Sequence, residues 1–408
     1  MMRLEINNGL NLALGPTPTE RAEHHPATVA LLGADHPGVR LQAVVAEGDA
    51  VRRGDVLLTD RADARFRLTA PAAGRVRAVH LGPRRRLESL VIDVDAGHPD
   101  PAVLKADPVS PANVRAALLD AGLWPALRAR PYDRSPGPDD IAAELYVVAL
   151  DTEPLAPDPL PIIRARADEF REGVSRLASL VETCFVCSAS GEVPVPETAG
   201  IEPVQVDGPH PAGLPGSLMY AMARQQGRCA PVSPVWYVGY QDVIAIGALF
   251  LSGRLDAGRT VTVAGPGLTQ GRVVHTVTGV SLGELTGPVP GAARVVSGSV
   301  LSGREGGRTT AFLGRYHRQV TVLGAAGAAV PGNSGMLALE AFEQVWPLRL
   351  PVLPLLKAVL VEGAETLSAL GATHLAAEDL ALCSYLCPAG LDYGAALERT
   401  LDALRRGG

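Results

Sequence analysis

Lysine is nearly absent from this 408-residue sequence: of its 37 basic residues only Lys105 and Lys357 are lysine, and the rest are arginine. Chemistry that needs a lysine amine therefore has two places to occur. Long apolar runs are also missing. Val243–Leu251 is too short to cross a bilayer, where about 20 residues are needed, and Leu348–Leu360 is interrupted by Pro351, Pro354 and Lys357. The opening Met1-Met2-Arg3-Leu4-Glu5-Ile6 carries no apolar core of a secretory signal. Cysteine is scarce and odd in number, at five, which excludes a disulfide framework and predicts a soluble chain in a reducing compartment. Basic charge is not in excess either. With 43 acidic residues the formal charge is −6, and nothing in the overall balance advertises nucleic acid or anionic lipid.

What is present is a globular balance, 47% apolar and 20% charged, with 44 glycines and 34 prolines scattered without a period. The length suits two to four domains at roughly 100–200 residues each. The first hundred residues alternate and are broken by glycine, so Thr28–Leu32, Leu41–Val45, Val56–Leu58, Arg65–Leu68, Gly74–His80 and Ser89–Val94 read as short strands. Within them stand Gly48-Asp49-Ala50-Val51, Arg53-Gly54-Asp55-Val56-Leu57 and Ala70-Pro71-Ala72-Ala73-Gly74-Arg75-Val76. This series resembles the half-motif of the biotinyl/lipoyl-type barrel, whose glycines mark tight turns. Carriers of that kind place a lysine on the hairpin between the halves. Thr59–Thr69 has none, so a scaffold without covalent carrier chemistry is expected.

From about residue 110 the pattern becomes strand, loop, helix. Val114–Leu123 and Ile163–Leu180 have helical spacing, with Phe170, Val174, Leu177 and Val181 on one face of the second. Leu145–Leu150, Phe185–Cys187 and Val204–Val206 read as buried strands ending in polar loops, the α/β pattern in which ligands sit beyond the strand carboxyl ends. Thr260–Val263, Arg272–Thr276 and Arg294–Val296, with the Gly265-Pro266-Gly267 turn, form another small β unit. Pro331-Gly332-Asn333-Ser334-Gly335 reads as a linker. Beyond it Ala377–Leu386 and Tyr393–Leu404 are helical, with Tyr393, Leu397, Leu401 and Leu404 on one stripe.

Four cysteines, Cys184 and Cys187 with Cys383 and Cys387, have the number but not the setting of a metal site. Cys184 and Cys187 fall in a strand, where alternation sends them to opposite faces, and two thiolates at helical spacing hold no cluster. They read as free thiols. The nine histidines show no H-E-x-x-H or H-x-x-H spacing: His24-His25 read as solvated, His210 and His317 as hydrogen-bonded structural histidines. No G-x-S-x-G, G-x-x-x-x-G-K-[ST] or G-x-G-x-x-G follows a strand. No self-contained catalytic apparatus is visible.

Long unbroken segments carry a more specific resemblance. They are Val29-Ala-Leu-Leu-Gly33, Gly122-Leu-Trp-Pro-Ala-Leu-Arg128 with Arg130-Pro-Tyr132, Ala149-Leu-Asp-Thr-Glu-Pro-Leu-Ala156 and Gly208-Pro-His-Pro-Ala-Gly-Leu-Pro-Gly216. Val238–Gly247, Arg294–Gly303, Leu313-Gly-Arg-Tyr-His317 and Ala381–Pro388 through Gly394 continue the series nearly end to end. The sequence resembles the A-subunit (Nqr) family of the sodium-translocating NADH:quinone reductases. More distantly it resembles the C-type component of Rnf complexes and the flavin-bearing component of complex I. The resemblance implies a multidomain α+β and α/β fold: a biotinyl/lipoyl-like barrel-sandwich at 1–100, a Rossmann-like domain at 101–255, a β-grasp (SLBB-like) domain at 256–325 and a helical domain at 335–408. It also implies a peripheral subunit on the cytoplasmic face of the bacterial inner membrane, contributing to ubiquinone binding. Leu31, Leu32 and Tyr132 match family positions linked with the quinone. They could equally be core and packing residues.

By the same resemblance the chain binds no cofactor of its own; NADH, flavin and iron–sulfur chemistry belong to partner subunits, and nucleic acid is no partner. Where the flavin-bearing relatives hold FMN on a glycine-rich loop, this chain has Trp124-Pro125, although Glu153-Pro154 echoes their acidic loop. The cluster motif is reduced to Cys383 and Cys387. Leu323–Pro331 is shorter than the family's usual segment, which bears on quinone or subunit contacts. Two rival readings stand beside this one: an independent flavin- or metal-dependent oxidoreductase, and a purely structural assembly protein.

Overall fold

A computed structural model describes residues 2–15, 18–95, 110–291, 293–324, 339–361 and 364–407. The 331–335 linker, the shortened 325–331 segment and Lys105 lie outside the described residues. The N-terminal barrel is built from two sheets. One has the order Thr28–Leu32, Leu87–Val94, Gly74–Leu81, Ala50–Val51; the other has Leu41–Ala43, Val56–Asp60, Arg67–Thr69. The repeated Gly-Asp pairs explain its symmetry. Gly48 and Gly54 both have left-handed φ, 92° and 91°. Each following aspartate closes its own turn, Asp49 Oδ2 accepting from Ala46 N and Asp55 Oδ2 from Arg52 N, both at 2.8 Å. The Arg61–Phe66 hairpin that joins the halves is held by Arg65, paired with Asp63 and Asp139.

A six-stranded sheet forms the centre of the molecule, ordered Met2–Glu5, Ile201–Asp207, Thr183–Ser188, Glu144–Ala149, Val235–Gly239, Arg128–Arg130. All neighbours are parallel except the last pair. Both faces are covered. Leu145, Val147, Cys184, Val186 and Trp236 pack on the helices Ala167–Ala178 and Tyr240–Ser252, while Tyr146, Val148, Phe185 and Cys187 pack on Pro215–Gln225. The expected alternation of Cys184 and Cys187 is therefore realised. The single helix expected over 163–180 is instead two, Pro159–Ala165 and Ala167–Ala178, because Arg166 leaves the helical region to bridge Glu169 and Asp256.

A second six-stranded sheet contains Gly258–Ala264, Arg272–Val277, Arg294–Ser297 and Gln319–Leu323, and recruits Arg21–Glu23 from the N-terminus. The C-terminal helices, Leu339–Val345, Val352–Val361, Ala364–Ala369, Ala381–Leu386 and Tyr393–Gly407, enclose a core of Phe342, Leu355, Leu356, Leu367, Tyr393, Leu397 and Leu401. No described helix is long and apolar enough to cross a membrane.

Candidate functional site

The central sheet directs attention to its carboxyl ends. Among the strands that follow the Arg128–Arg130 edge strand, Glu144–Ala149 comes first, the next two are added on one side of it, and the chain returns to add Val235–Gly239 on the other. Where strand order reverses, the loops part and leave a crevice, the usual ligand position in open α/β sheets. A cavity of about 390 Å³ occupies it, walled by Asp151 and Glu153 after one strand and Gly239, Gln241 and Asp242 after the other. Several of its charges are engaged with one another. Arg318 Nε donates to Asp151 at 2.5 Å, Arg128 pairs with Asp133 at 2.7 Å, and Arg259 and Arg315 share Asp242. Glu153 accepts from the hydroxyls of Ser299 and Ser302 at 2.6 and 2.7 Å.

Asp35, Arg259 and Arg315 form a wall shared with a second, smaller cavity of about 50 Å³ between the barrel, the Gly122–Leu123 loop and the second sheet with its flanking loops. Leu31 and Leu32 line this slot together, with Leu123, Leu255 and Leu313. They arrive there because the strand Thr28–Leu32 ends in a 3-10 turn, Gly33–Asp35, seated against Leu87, whose carbonyl leaves no room for a Cβ at Gly33. The polar end of the slot holds His36, which sequence reasoning missed. It is 3% exposed, lies edge-on to Phe66 and Tyr316, and its Nδ1 has no hydrogen-bond partner among the described residues. Burial above all, reinforced by Arg315, Arg128 and Arg304 against the pull of Asp35, pushes the imidazole down to about 3. It is a neutral ring. For Asp35, burial raises the carboxyl, but the Arg304 guanidinium and the Arg315 N–H outweigh it and hold it below its ordinary value.

Tyr132 is not brought to this slot. It lines neither cavity, adopts a left-handed φ of 74°, donates its N–H to Thr373 O at 2.7 Å and packs into the C-terminal helical core. Beside it Arg130, fully buried, faces Asp133, Glu378 and Asp379 at 3.6–3.7 Å. Trp124 is a core residue too. It is fully buried, donates Nε1 to Pro136 O at 2.9 Å and stacks edge-on to Trp236, so bulk rather than bare backbone fills this loop.

The remaining candidates find separate places. Burial pushes the Cys184 thiol up to about 12 and raises Cys187 as well. Burial does the same to Cys383, up to about 12. At Cys387 burial is outweighed by the Tyr393 hydroxyl, 3.5 Å away, and by neighbouring backbone N–H groups, which hold the thiol below its ordinary value. Among the described residues no three His, Cys, Asp or Glu side chains are grouped to hold a metal. His210 Nδ1 lies 3.2 Å from Thr152 Oγ1, and His317 Nδ1 is 2.8 Å from Ser297 Oγ, as structural histidines do. His24, expected to be solvated, is half-buried and reaches Glu284 at 3.3 Å, because the Arg21–Glu23 strand carries it onto the second sheet.

A barrel-sandwich followed by a doubly wound α/β unit, with a crevice at the carboxyl ends of the sheet and an apolar slot beside the barrel, defines a multidomain α+β and α/β chain. Residues 4–95 match the NqrA N-terminal barrel-sandwich hybrid domain and residues 109–255 the NqrA second alpha/beta domain. A relative from Saccharophagus degradans, named as the A subunit of Na(+)-translocating NADH-quinone reductase, is 37% identical over 99% of this chain and 100% of its own length. One of the same name from Neisseria meningitidis is 35% identical over the same shares. The chain belongs to the NqrA family, the A subunits of Na(+)-translocating NADH-quinone reductases. Among solved structures, an NAD+-reducing nickel–iron hydrogenase is similar at 16% identity and a TM-score of 0.39, covering 74% of this chain and 69% of that one.

Proposed function

We propose that this chain serves as the A subunit of a sodium-translocating NADH:quinone reductase, peripheral and on the cytoplasmic side, and that it helps to bind ubiquinone while its partner subunits carry NADH, flavin and iron–sulfur chemistry. The observation that carries the quinone assignment is the pairing of the Leu31–Leu32 wall with the unpartnered Nδ1 of a neutral His36. A quinone headgroup is uncharged and asks for an apolar cleft with one or two hydrogen-bond partners at its carbonyls. The imidazole supplies one at small electrostatic cost, since it brings no charge into the slot. The slot of about 50 Å³ is smaller than the roughly 300–1,000 Å³ typical of small-molecule sites, so side chains around it move apart on binding. That reorganisation draws on the binding energy and favours a moderate affinity.

Titration of the full chain with a short-chain ubiquinone tests this reading. Saturable binding that weakens in Leu31→Ala and His36→Ala supports it, and so does unchanged binding in the Cys383→Ser/Cys387→Ser double variant. Absence of saturable binding favours a purely structural role, and stoichiometric FMN, iron or zinc on the purified chain favours an independent oxidoreductase.

A further inference from the structure

The overall charge of −6 conceals a strongly basic groove. It lies on the rim of the barrel, where the tip between Gly74–Leu81 and Leu87–Val94 approaches the paired ends of Leu41–Ala43 and Val56–Asp60. The groove encloses about 700 Å³, and Arg40, Arg61, Arg84, Arg85, Arg86 and Arg405 stand in its walls against only Asp60 and Asp402. Both aspartates are engaged: Asp60 Oδ1 accepts from the N–H groups of Arg40 and Ala62 at 3.1 Å, and Asp402 pairs with Arg405 at 2.5 Å. Arg40, Arg61, Arg84, Arg85 and Arg86 are exposed, and their side chains have no partner among the described residues. Elsewhere on the barrel Arg52 is neutralised by Asp55, Arg65 by Asp63 and Asp139, and Arg77 by Asp93, while Arg75 donates to the Gly48 carbonyl.

Backbone geometry adds a second observation. Arg84 and Arg85 have φ of 56° and 57°, the left-handed region that glycine or asparagine enters more readily. Two successive side-chain-bearing residues held there present both guanidinium groups at the tip, and such strain concentrates at functional surfaces.

We propose that this groove docks an acidic, extended segment of a partner polypeptide. Guanidinium groups match carboxylates in a two-pronged geometry, and unpaired ones gathered in a concavity favour a chain that carries several carboxylates. The groove already holds one such carboxylate, Asp402 from the chain's own C-terminal helix. A bilayer surface is the poorer match: lipid-binding faces carry aromatic and apolar anchors beside their basic residues, and the groove walls hold no aromatic side chain among the described residues. The groove shares no wall residue with the Leu31–His36 slot, so its test is independent of the quinone reading.

Fluorescence anisotropy of a labelled octaglutamate peptide with the full chain provides that test. Binding is expected at low salt and is expected to fall steeply as salt approaches about 0.15 M. Arg84→Glu/Arg85→Glu/Arg86→Glu should weaken it about tenfold or more, and Arg40→Gln/Arg61→Gln, on different strands, about threefold. Arg52→Glu/Arg75→Glu/Arg77→Glu, the same charge change outside the groove, should alter it by less than about twofold. An equal loss in that control, no peptide binding at low salt, or binding of phosphatidylglycerol vesicles that octaglutamate does not displace would overturn the proposal.

Discussion

His36 and Asp133 show how individual side chains take their character from what buries them. Because burial holds the His36 imidazole near 3, it stays neutral through the physiological range, and quinone affinity should be flat between about pH 6 and 8. His36→Ala should weaken short-chain ubiquinone about tenfold, the equivalent of about 1.4 kcal/mol, while His36→Gln, which keeps a donor, should recover part of the loss in calorimetry. Asp133 behaves oppositely to a buried acid left alone: burial raises its carboxyl, but Arg128, Arg130 and the Tyr237 hydroxyl at 2.6 Å bring it down to about 2. A carboxylate depressed in the folded state stabilises above its unfolded value near 3.8 and loses that contribution as pH falls toward 2. Asp133→Asn should therefore cost about 2 kcal/mol at pH 7 in urea unfolding, and the gap should narrow between about pH 4 and 2. These roles were only partly legible in the sequence. Strand periodicity sufficed to place Cys184 and Cys187 on opposite faces. His36 carries no spacing that marks it, since its partners come from the Phe66 and Tyr316 regions, distant along the chain.

Among the elements, the contact of helix Ala167–Ala178 with helix Tyr240–Ser252 rests on two glycines. A Cβ on Gly247 would overlap the carbonyl oxygen of Glu169, and one on Gly173 would overlap that of Val243. Glycine weakens a helix interior, so its presence in both helices reflects this close approach. Gly247→Ala should lower stability by about 2–3 kcal/mol in thermal or denaturant unfolding, the range of an overpacked core. Gly283→Ala makes the contrast: its Cβ would meet only Ser281 Oγ at 3.8 Å, and the change should be neutral or slightly stabilising. Periodicity revealed the apolar face of the 167–178 helix but not the break before it. Arg166 looks like any helical arginine until Asp256, ninety residues on, is brought beside it. Met2–Glu5 and Arg21–Glu23 were illegible for a similar reason, being short strands whose sheet partners among the described residues lie roughly 200 and 250 residues away.

At the scale of the whole molecule, the C-terminal helices are tied to the central sheet through Arg130, Tyr132 and Asp379 rather than through the Leu31–His36 slot. Tyr132→Ala should lower stability by about 1–2 kcal/mol through lost packing while changing quinone affinity by less than about twofold. A larger loss of affinity would place Tyr132 in the proposed quinone contact. The order of the barrel, α/β and helical regions could be read from the chain because each has its own periodicity. The slot where the barrel meets the Gly122–Leu123 loop and the 255–259 segment could not, since it depends on how separately folded surfaces fit. The central claim concerns that meeting place, and the assembled complex tests it most directly. In membranes carrying the full complex, His36→Ala in this chain should raise the KM for ubiquinone about tenfold while leaving electron transfer from NADH to an artificial acceptor at its original rate. An unchanged KM, or an equal loss of both activities, would contradict the assignment.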